Sequence, residues 1–571
     1  MTFRVWAPRA RTVELVCGGV RTPLVPSSGG YHELADPALE PAGDYWLSLD
    51  GGPLLPDPRS PHQPAGIEGP SRPVAHAAFP WTDAGFRASP LAEAVLYELH
   101  VGTFSDAGTF EGAIARLCHL VELGVTHVEL MPVCQFAGRR GWGYDGVNLF
   151  APHASYGGPE GLKRLIDACH ARGLGVIIDV VYNHLGPRGN HLARFGPYFT
   201  ERHTPWGAAV NLREAGSDEV RRFFLDNALL WLTDYHADGL RFDAVQAFED
   251  DRAFPFLAEL ARAIELEGTR RGRHWELIAE CDRSDPRTTR ALDAGGLGMN
   301  AQWSDDFQFA LHAFLTGERN GRLQDFGALA AVAEVLEHGF RHRGTFSAFR
   351  GRAHGHPLAR AERGRLLAYL QTHDQIGNRP RGERVATLVG AAELRQAAAL
   401  MLLAPFVPLL FQGEEWAATT PFFYFTDHGD AELARAVQEG REREYRALGF
   451  DLTGSVAPDA PEAFERSRLS WAELAEPEHQ AVLAWYRALV RLRREEPHFP
   501  SLPVRVTFDE DAGWLLLDRE AFVVALCFAA EPRRLPFTHP AEILLQNGDV
   551  ELGPAGLRVG AHGVAVLRRT A

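Results

Sequence analysis

The sequence predicts an α/β protein built on a (β/α)8 TIM barrel, with an N-terminal β-sandwich before it and a C-terminal β-domain after it. Three observations carry this expectation. Eight apolar strand-like runs alternate with helical patterns through the middle of the chain, both flanks read as short strands between turns, and no G-x-G-x-x-G turn follows the first run. Repeated βαβ units of that number close into a barrel. An open doubly wound sheet is the alternative, and it would carry a Gly-rich phosphate turn after its first strand.

Residues 1–90 hold FRVWAP, TVELVC and GDYWLSLD between Pro- and Gly-rich turns, the pattern of a small sandwich. A Pro-rich stretch, Pro53–Pro90, leads into the expected barrel at 91–498, which carries loop insertions. Its strand candidates are AVLYELHVGTF, VTHVELMPV, LGVIIDVVYNH, ADGLRFDAV, WELIAECD, GLGMNAQWS, RGRLLAYLQTHD and FVPLLFQGEEW. Helical stretches such as EGAIARLCHLVELG and DEVRRFFLDNALLWLTDYH separate them. After a last helix, HQAVLAWYRALVRLRREE, residues 499–571 return to short strands and predict a C-terminal β-sandwich.

Composition narrows the class of partner. At 571 residues the chain is too long for one core and predicts two to four domains. The formal net charge is −16 and no long Lys/Arg run occurs, which argues against nucleic acid. A neutral polysaccharide meets no such electrostatic penalty. The six cysteines are scattered without a CxxC pair, so neither a zinc site nor a disulfide framework is expected. MTFRVWAPRA has no apolar signal core, and no run of about 18 apolar residues is present. The expectation is a reduced, cytoplasmic protein with no membrane partner and no cofactor.

Chemistry concentrates at strand ends. In a barrel the C-terminal ends of the strands open into the active-site mouth. Four of the apolar runs finish in acid-bearing clusters: Asp179–His184, Arg241–Asp243, Glu280–Asp282 and His373–Asp374. One acid at one strand end is more often a helix cap or a loop salt bridge; four on one barrel point to catalysis.

DVVYNH (179–184), GLRFDAV (239–245), the Glu of ELIAECD (276–282) and QTHDQ (371–375) resemble, in order, the four short motifs of the α-amylase superfamily, glycoside hydrolase family 13. GWGYDGVNLFAPHASYG (141–157) resembles a further motif of that family. The resemblance implies Asp243 as nucleophile, Glu280 as general acid and base, and Asp374 as a third carboxylate gripping sugar hydroxyls. It implies His184 and His373 as a hydroxyl-binding pair, Tyr144 as an aromatic platform under the sugar, and Asp179 as a support behind Arg241. Arg241 is expected to lower the pKa of Asp243, as a neighbouring guanidinium does. Glu280 has to be protonated near neutrality, so a drier site or nearby carboxylates are expected around it. For retention of configuration the two carboxyls should lie about 5–5.5 Å apart.

Local wording refines the resemblance. FRVWAPRARTVELV is similar to the sandwich that precedes the barrel in branching, debranching and trehalose-releasing members. YELHVGTFSDAGTFEGAIARL, VYNHLGPRGNHL, HTPWGAAVNL and HDQIGNRPRGER resemble the trehalose-releasing branch. That branch hydrolyses the α-1,4 bond beside the terminal trehalose of maltooligosyl trehalose. A branching or debranching enzyme is the alternative activity, and a catalytically dead glucan-binding scaffold the alternative class; the latter usually lacks a triad carboxylate. Trp206 would stack on the trehalose or anchor a lid. Phe349 would wall the pocket, and Arg350 would bond the sugar or pair with an acid. Gln246 stands where many amylase-type members carry a Lys-His pair that binds the leaving sugar. Asn183 matches a calcium-associated position of some amylases, but no further ligand set accompanies it, so a hydroxyl or main-chain partner is expected and no metal.

Overall fold

The computed structural model describes residues 3–35, 43–496, 502–554 and 556–570. Eight parallel strands form a closed barrel: β1 (Leu96–Leu99), β2 (His127–Leu130), β3 (Gly175–Val180), β4 (Gly239–Phe242), β5 (Glu276–Ala279), β6 (Ala301–Trp303), β7 (Leu366–Ala368) and β8 (Val407–Phe411). Each strand pairs with its neighbour in sequence, and β8 closes on β1 through Leu409–Leu96, Leu410–Tyr97 and Phe411–Glu98. Each lies within one of the eight apolar runs read from the sequence.

A period of two along each strand sorts its side chains between the barrel interior and the helix layer. Leu96, Ile177, Ile278, Leu367 and Leu409 meet in one interior cluster with Trp303 and Tyr369. Val128, Leu130, Val176, Ile178, Leu240, Phe242 and Leu277 face the other way and join the large core shared with the helices. Counting two residues on from Leu96, Ile177 and Ile278 reaches Glu98, Asp179 and Glu280 on the inner face. The register sets Asp179 against Arg241 and Glu98 against Glu129. The interior is therefore apolar at its base and charged at its C-terminal mouth.

Helices Gly158–His170, Ser217–Thr233, Phe256–Arg271, Asp305–Thr316, Ala391–Leu403 and Pro477–Glu495 lie between or beyond the strands. The helical pattern at EGAIARLCHLVELG breaks in two, Phe110–Ile114 and Leu117–Leu123. Before the barrel, a three-stranded sheet (Arg4–Trp6, Val25–Pro26, Tyr31–Glu33) accompanies a four-stranded one (Val13–Cys17, Val20–Pro23, Tyr45–Leu49, Leu54–Leu55). Trp6 meets Tyr198 edge to face at 5.3 Å, and the Tyr31 hydroxyl donates to Glu219 at 2.5 Å, tying these sheets to the barrel side. After the barrel come a five-stranded antiparallel sheet and a three-stranded one. The five-stranded sheet docks on helix Ala391–Leu403, where Gln396 donates to the Cys527 carbonyl at 2.8 Å. The expected junction at 498/499 lies outside the described residues. Among the described residues no helix is long and apolar enough to cross a membrane.

Candidate active site

Arg241, at the third position of β4, is 1% exposed and holds three carboxylates. Its Nη1 donates to Asp179 Oδ2 at 2.7 Å and to Asp243 Oδ1 at 2.9 Å, while its Nη2 donates to Glu280 Oε2 at 2.7 Å. The guanidinium lies 4.3 Å from the Trp303 ring centroid, a cation–π contact that fills its apolar face. Asp179 also accepts from the Tyr144 hydroxyl at 2.6 Å. The residue before Tyr144 is Gly143 at φ 101°, where a Cβ would fall 2.1 Å from the Pro132 carbonyl, so only glycine lets the loop present Tyr144 here.

One positive charge among three acids cannot balance them all, and the site is drier than water. Burial pushes Glu280 up to about 7 against the pull of Arg241, with Asp243 and Asp374 adding to the rise. Burial also raises Asp243 above the ordinary carboxylate range, outweighing Arg241 and the Asn183 hydrogen bond that pull it down. Arg241 pulls Asp243 down as expected of a neighbouring guanidinium, but desolvation of the buried carboxylate is the larger effect and the net direction is upward. Both carboxyls keep access to the cleft, with side-chain exposures of 12% for Asp243 and 22% for Glu280.

Backbone geometry aims the pair. Ala244 adopts φ 40°, in the left-handed region that is costly for a residue with a Cβ, and its N–H donates to Glu280 Oε2 at 2.9 Å. Asn183 donates to the Asp243 carbonyl at 3.0 Å and to Asp243 Oδ2 at 2.7 Å, and its Oδ1 contacts His184 Nδ1. The main-chain partner expected of Asn183 is there. Both ends of its amide are engaged by protein, so it orients Asp243 and His184. Among the described residues no group of three His, Cys, Asp or Glu side chains is placed to hold a metal ion.

His373 and Asp374 open a short helix, His373–Gly377, beyond the end of β7. His373 Nδ1 lies 2.5 Å from Glu98 Oε1, and its backbone N–H donates to Glu98 Oε2 at 3.1 Å. Glu98 raises the His373 pKa despite burial. The His373 ring stacks on Tyr144 at 5.0 Å. Asp374 accepts from Asn378 at 2.6 Å, and Asn378 in turn accepts from Arg441 at 2.6 Å.

The outer candidates sit differently. Trp206 lies at the turn of a hairpin, Phe199–Thr204 with Gly207–Val210; it is 49% exposed and stacks on His184 at 5.6 Å. Arg350 donates to Asp282 Oδ2 at 2.9 Å, two residues past Glu280, so the acid-pairing alternative is the one observed. Phe349 beside it is exposed. The Gln246 carbonyl accepts from Arg283 at 2.7 Å.

Sequence reading passed over Glu98, Glu129, Trp303 and Asn378. Glu98 and Glu129 sit inside apolar runs, LYEL and HVEL, and the strand period alone turns them inward. Among the described residues Glu129 has no hydrogen-bond partner on either oxygen, and burial raises its pKa far above the ordinary value. A desolvated acid thus lies in the polar layer beneath Arg241.

Comparison with known proteins fits this geometry. The family described as the α-amylase catalytic domain matches residues 85–198. A malto-oligosyltrehalose trehalohydrolase of Arthrobacter ramosus is 46% identical over 99% of both chains. One of Mycobacterium tuberculosis is 43% identical over 99% of both. A 1,4-α-glucan branching enzyme of Rubrobacter xylanophilus is 32% identical over 53% of this chain and 48% of its own. The crystal structure of a protein described as an α-amylase from Salmonella typhimurium superposes with a TM-score of 0.90 at 37% identity, covering 100% of this chain and 97% of that one.

Proposed function

The chain belongs to the malto-oligosyltrehalose trehalohydrolase family, and on that premise we propose that Asp243, Glu280 and Asp374 perform its hydrolysis by a retaining mechanism. The enzyme is a glycoside hydrolase that cleaves the α-1,4 bond next to the terminal trehalose of maltooligosyl trehalose and releases trehalose. The observation that carries the mechanistic reading is Arg241 bridging Asp243 and a Glu280 whose pKa stands at about 7.

Glu280, kept partly protonated at neutral pH by a pKa of about 7, gives its proton to the oxygen of the departing trehalose. Asp243 attacks the anomeric carbon of the glucan and forms a glycosyl ester. With trehalose gone, the ionised Glu280 removes a proton from water as that water attacks the same carbon, and the second inversion restores the α configuration. Arg241 moderates the charge that passes between the two acids. Asp374, His184 and His373 are assigned to sugar hydroxyls, with Tyr144 beneath the ring. Trp206, Phe349 and the Arg350–Asp282 pair are assigned to the leaving trehalose, Arg350 acting through its acid partner.

The division into a sandwich up to about residue 90, a barrel and a C-terminal β-unit is part of the same reading. So is a reducing, cytoplasmic setting, which suits six cysteines that are all free thiols. The decisive experiment incubates the protein with maltooligosyl trehalose and with plain maltooligosaccharides and identifies products. Fast trehalose release from the first and slow cleavage of the second is expected; equal cleavage of both, or formation of branched glucan, overturns the specificity.

A further inference from the structure

A cavity of about 600 Å³ lies at the end of the barrel opposite the catalytic acids. Three segments that enter barrel strands line it: residues 87–90 ahead of β1, 236–238 ahead of β4 and 273–276 leading into β5. The catalytic mechanism uses none of them. In a chain of net charge −16 three guanidiniums, Arg87, Arg271 and Arg273, face this spot together with the imidazoles of His236 and His274.

The two histidines are tied to acids, His236 to Asp83 at 2.8 Å and His274 to Glu276 at 3.4 Å, but the guanidiniums keep donors free. Arg87 and Arg273 form no salt bridge among the described residues, and each spends one Nη1 on the Phe86 carbonyl, at 2.6 Å and 3.0 Å. Arg271 leans on Glu267 through Nε, which leaves its terminal nitrogens available. Two carboxylates, Asp238 and Glu276, lie deeper, each 7% exposed, whereas Arg87 and Arg271 are exposed at the mouth. Asp238 is fixed by His170 and by the Val176 N–H, both at 2.9 Å. Trp275 supplies a buried ring on the wall.

Guanidinium forks suit phosphate oxygens, and fixed carboxylates beside an indole suit the hydroxyls and the face of a sugar. The volume falls within the range that encloses a small ligand. We propose that this cavity binds a phosphorylated monosaccharide, with its phosphate on Arg87, Arg271 and Arg273 and its hydroxyls on Asp238 and Glu276.

Titration calorimetry of the full chain with glucose 6-phosphate, glucose and inorganic phosphate tests it. Saturable one-to-one binding of glucose 6-phosphate is expected, about tenfold tighter than either half alone, the gain of about one charge-assisted contact. The double variant Arg87→Ala/Arg271→Ala removes two exposed side chains and should weaken that binding about tenfold or more, with glucan hydrolysis kept within about twofold. Arg87→Glu, a single exposed charge reversal, should do the same and guards against a folding defect in the double variant. No saturable binding, equal affinity for glucose or for phosphate alone, or affinity unchanged in both variants would each overturn the proposal.

Discussion

Arg241 donates through Nη2 to Glu280 Oε2 at 2.7 Å, so the guanidinium that steadies the nucleophile also pulls on the group that must deliver a proton. Burial and the neighbouring acids win, leaving Glu280 at about 7. The expected consequence is a basic limb in kcat/KM with an apparent pKa near 7, activity falling as pH rises through it. Glu280→Gln should abolish that limb together with most of the rate. The same shift has a sign for stability. Between the ordinary carboxylate value and about 7 the unfolded chain has released this proton and the folded chain has not, so stability contributed here is present at low pH and lost as pH climbs. Thermal melts of Glu280→Gln against the parent at pH 5 and pH 8 should show the variant gaining ground at the higher pH. A basic limb that survives the substitution would assign the acid elsewhere.

Asp243 and Glu280 share one arginine, yet their roles separate by product stereochemistry. Removing either should cost on the order of 10⁴-fold or more in kcat, as loss of a covalent nucleophile or its proton partner does in other hydrolases. Azide and an aryl α-glucoside with a good leaving group distinguish them. In Asp243→Ala azide enters directly and gives the β-glycosyl azide; in Glu280→Ala it opens the glycosyl ester and gives the α-anomer. The opposite pairing of variants and anomers would exchange the two roles.

Glu98 clamps His373 through both the ring and the backbone N–H. Glu98 is what raises the His373 pKa against burial, so Glu98→Gln should lower it. NMR titration of the His373 ring reads that shift directly. With its orientation loosened, His373 should bind the sugar less well, and kcat/KM should fall about ten- to a hundredfold, mostly through KM. An unshifted His373 with an unchanged KM would leave Glu98 as plain core structure.

How much of this was legible in the residues follows from which interactions are local. The eight strands announce themselves because each is a short apolar run between helices, and the acids at their ends interrupt that pattern within a few residues. Asp179, Arg241, Asp243 and Glu280 were therefore visible as a set. Glu98 and Glu129 were not, since an acid inside LYEL or HVEL reads as a flaw in a strand until the barrel closes and turns Glu98 onto His373 and Glu129 toward Arg241. The left-handed Ala244 escaped as well, for alanine carries no signal for positive φ, and its N–H finds Glu280 only across two strands. The direction of the Asp243 shift depended on a balance of burial against charge, and burial exists only once the fold does. Asp282 as the partner of Arg350 is likewise a contact between distant segments, 68 residues apart.

Trp206 offers the sharpest test of specificity because so little of the fold depends on it. It sits at a hairpin turn, 49% exposed, with one face on His184 and the other free. An exposed aromatic of that kind contributes little to stability, so Trp206→Ala should melt within a few degrees of the parent. A sugar sandwiched against the free face would bury the indole, worth roughly 1–3 kcal/mol, or about ten- to a hundredfold in affinity. If that sugar belongs to the departing trehalose, kcat/KM for maltooligosyl trehalose should drop by about that factor, while slow cleavage of plain maltooligosaccharides changes less than about threefold. Trp206→Phe should recover most of the loss, since it restores a flat apolar face without the indole N–H. Equal losses on both substrates would place Trp206 against the glucan side of the cleft, and no loss on either would make it only the cover of His184.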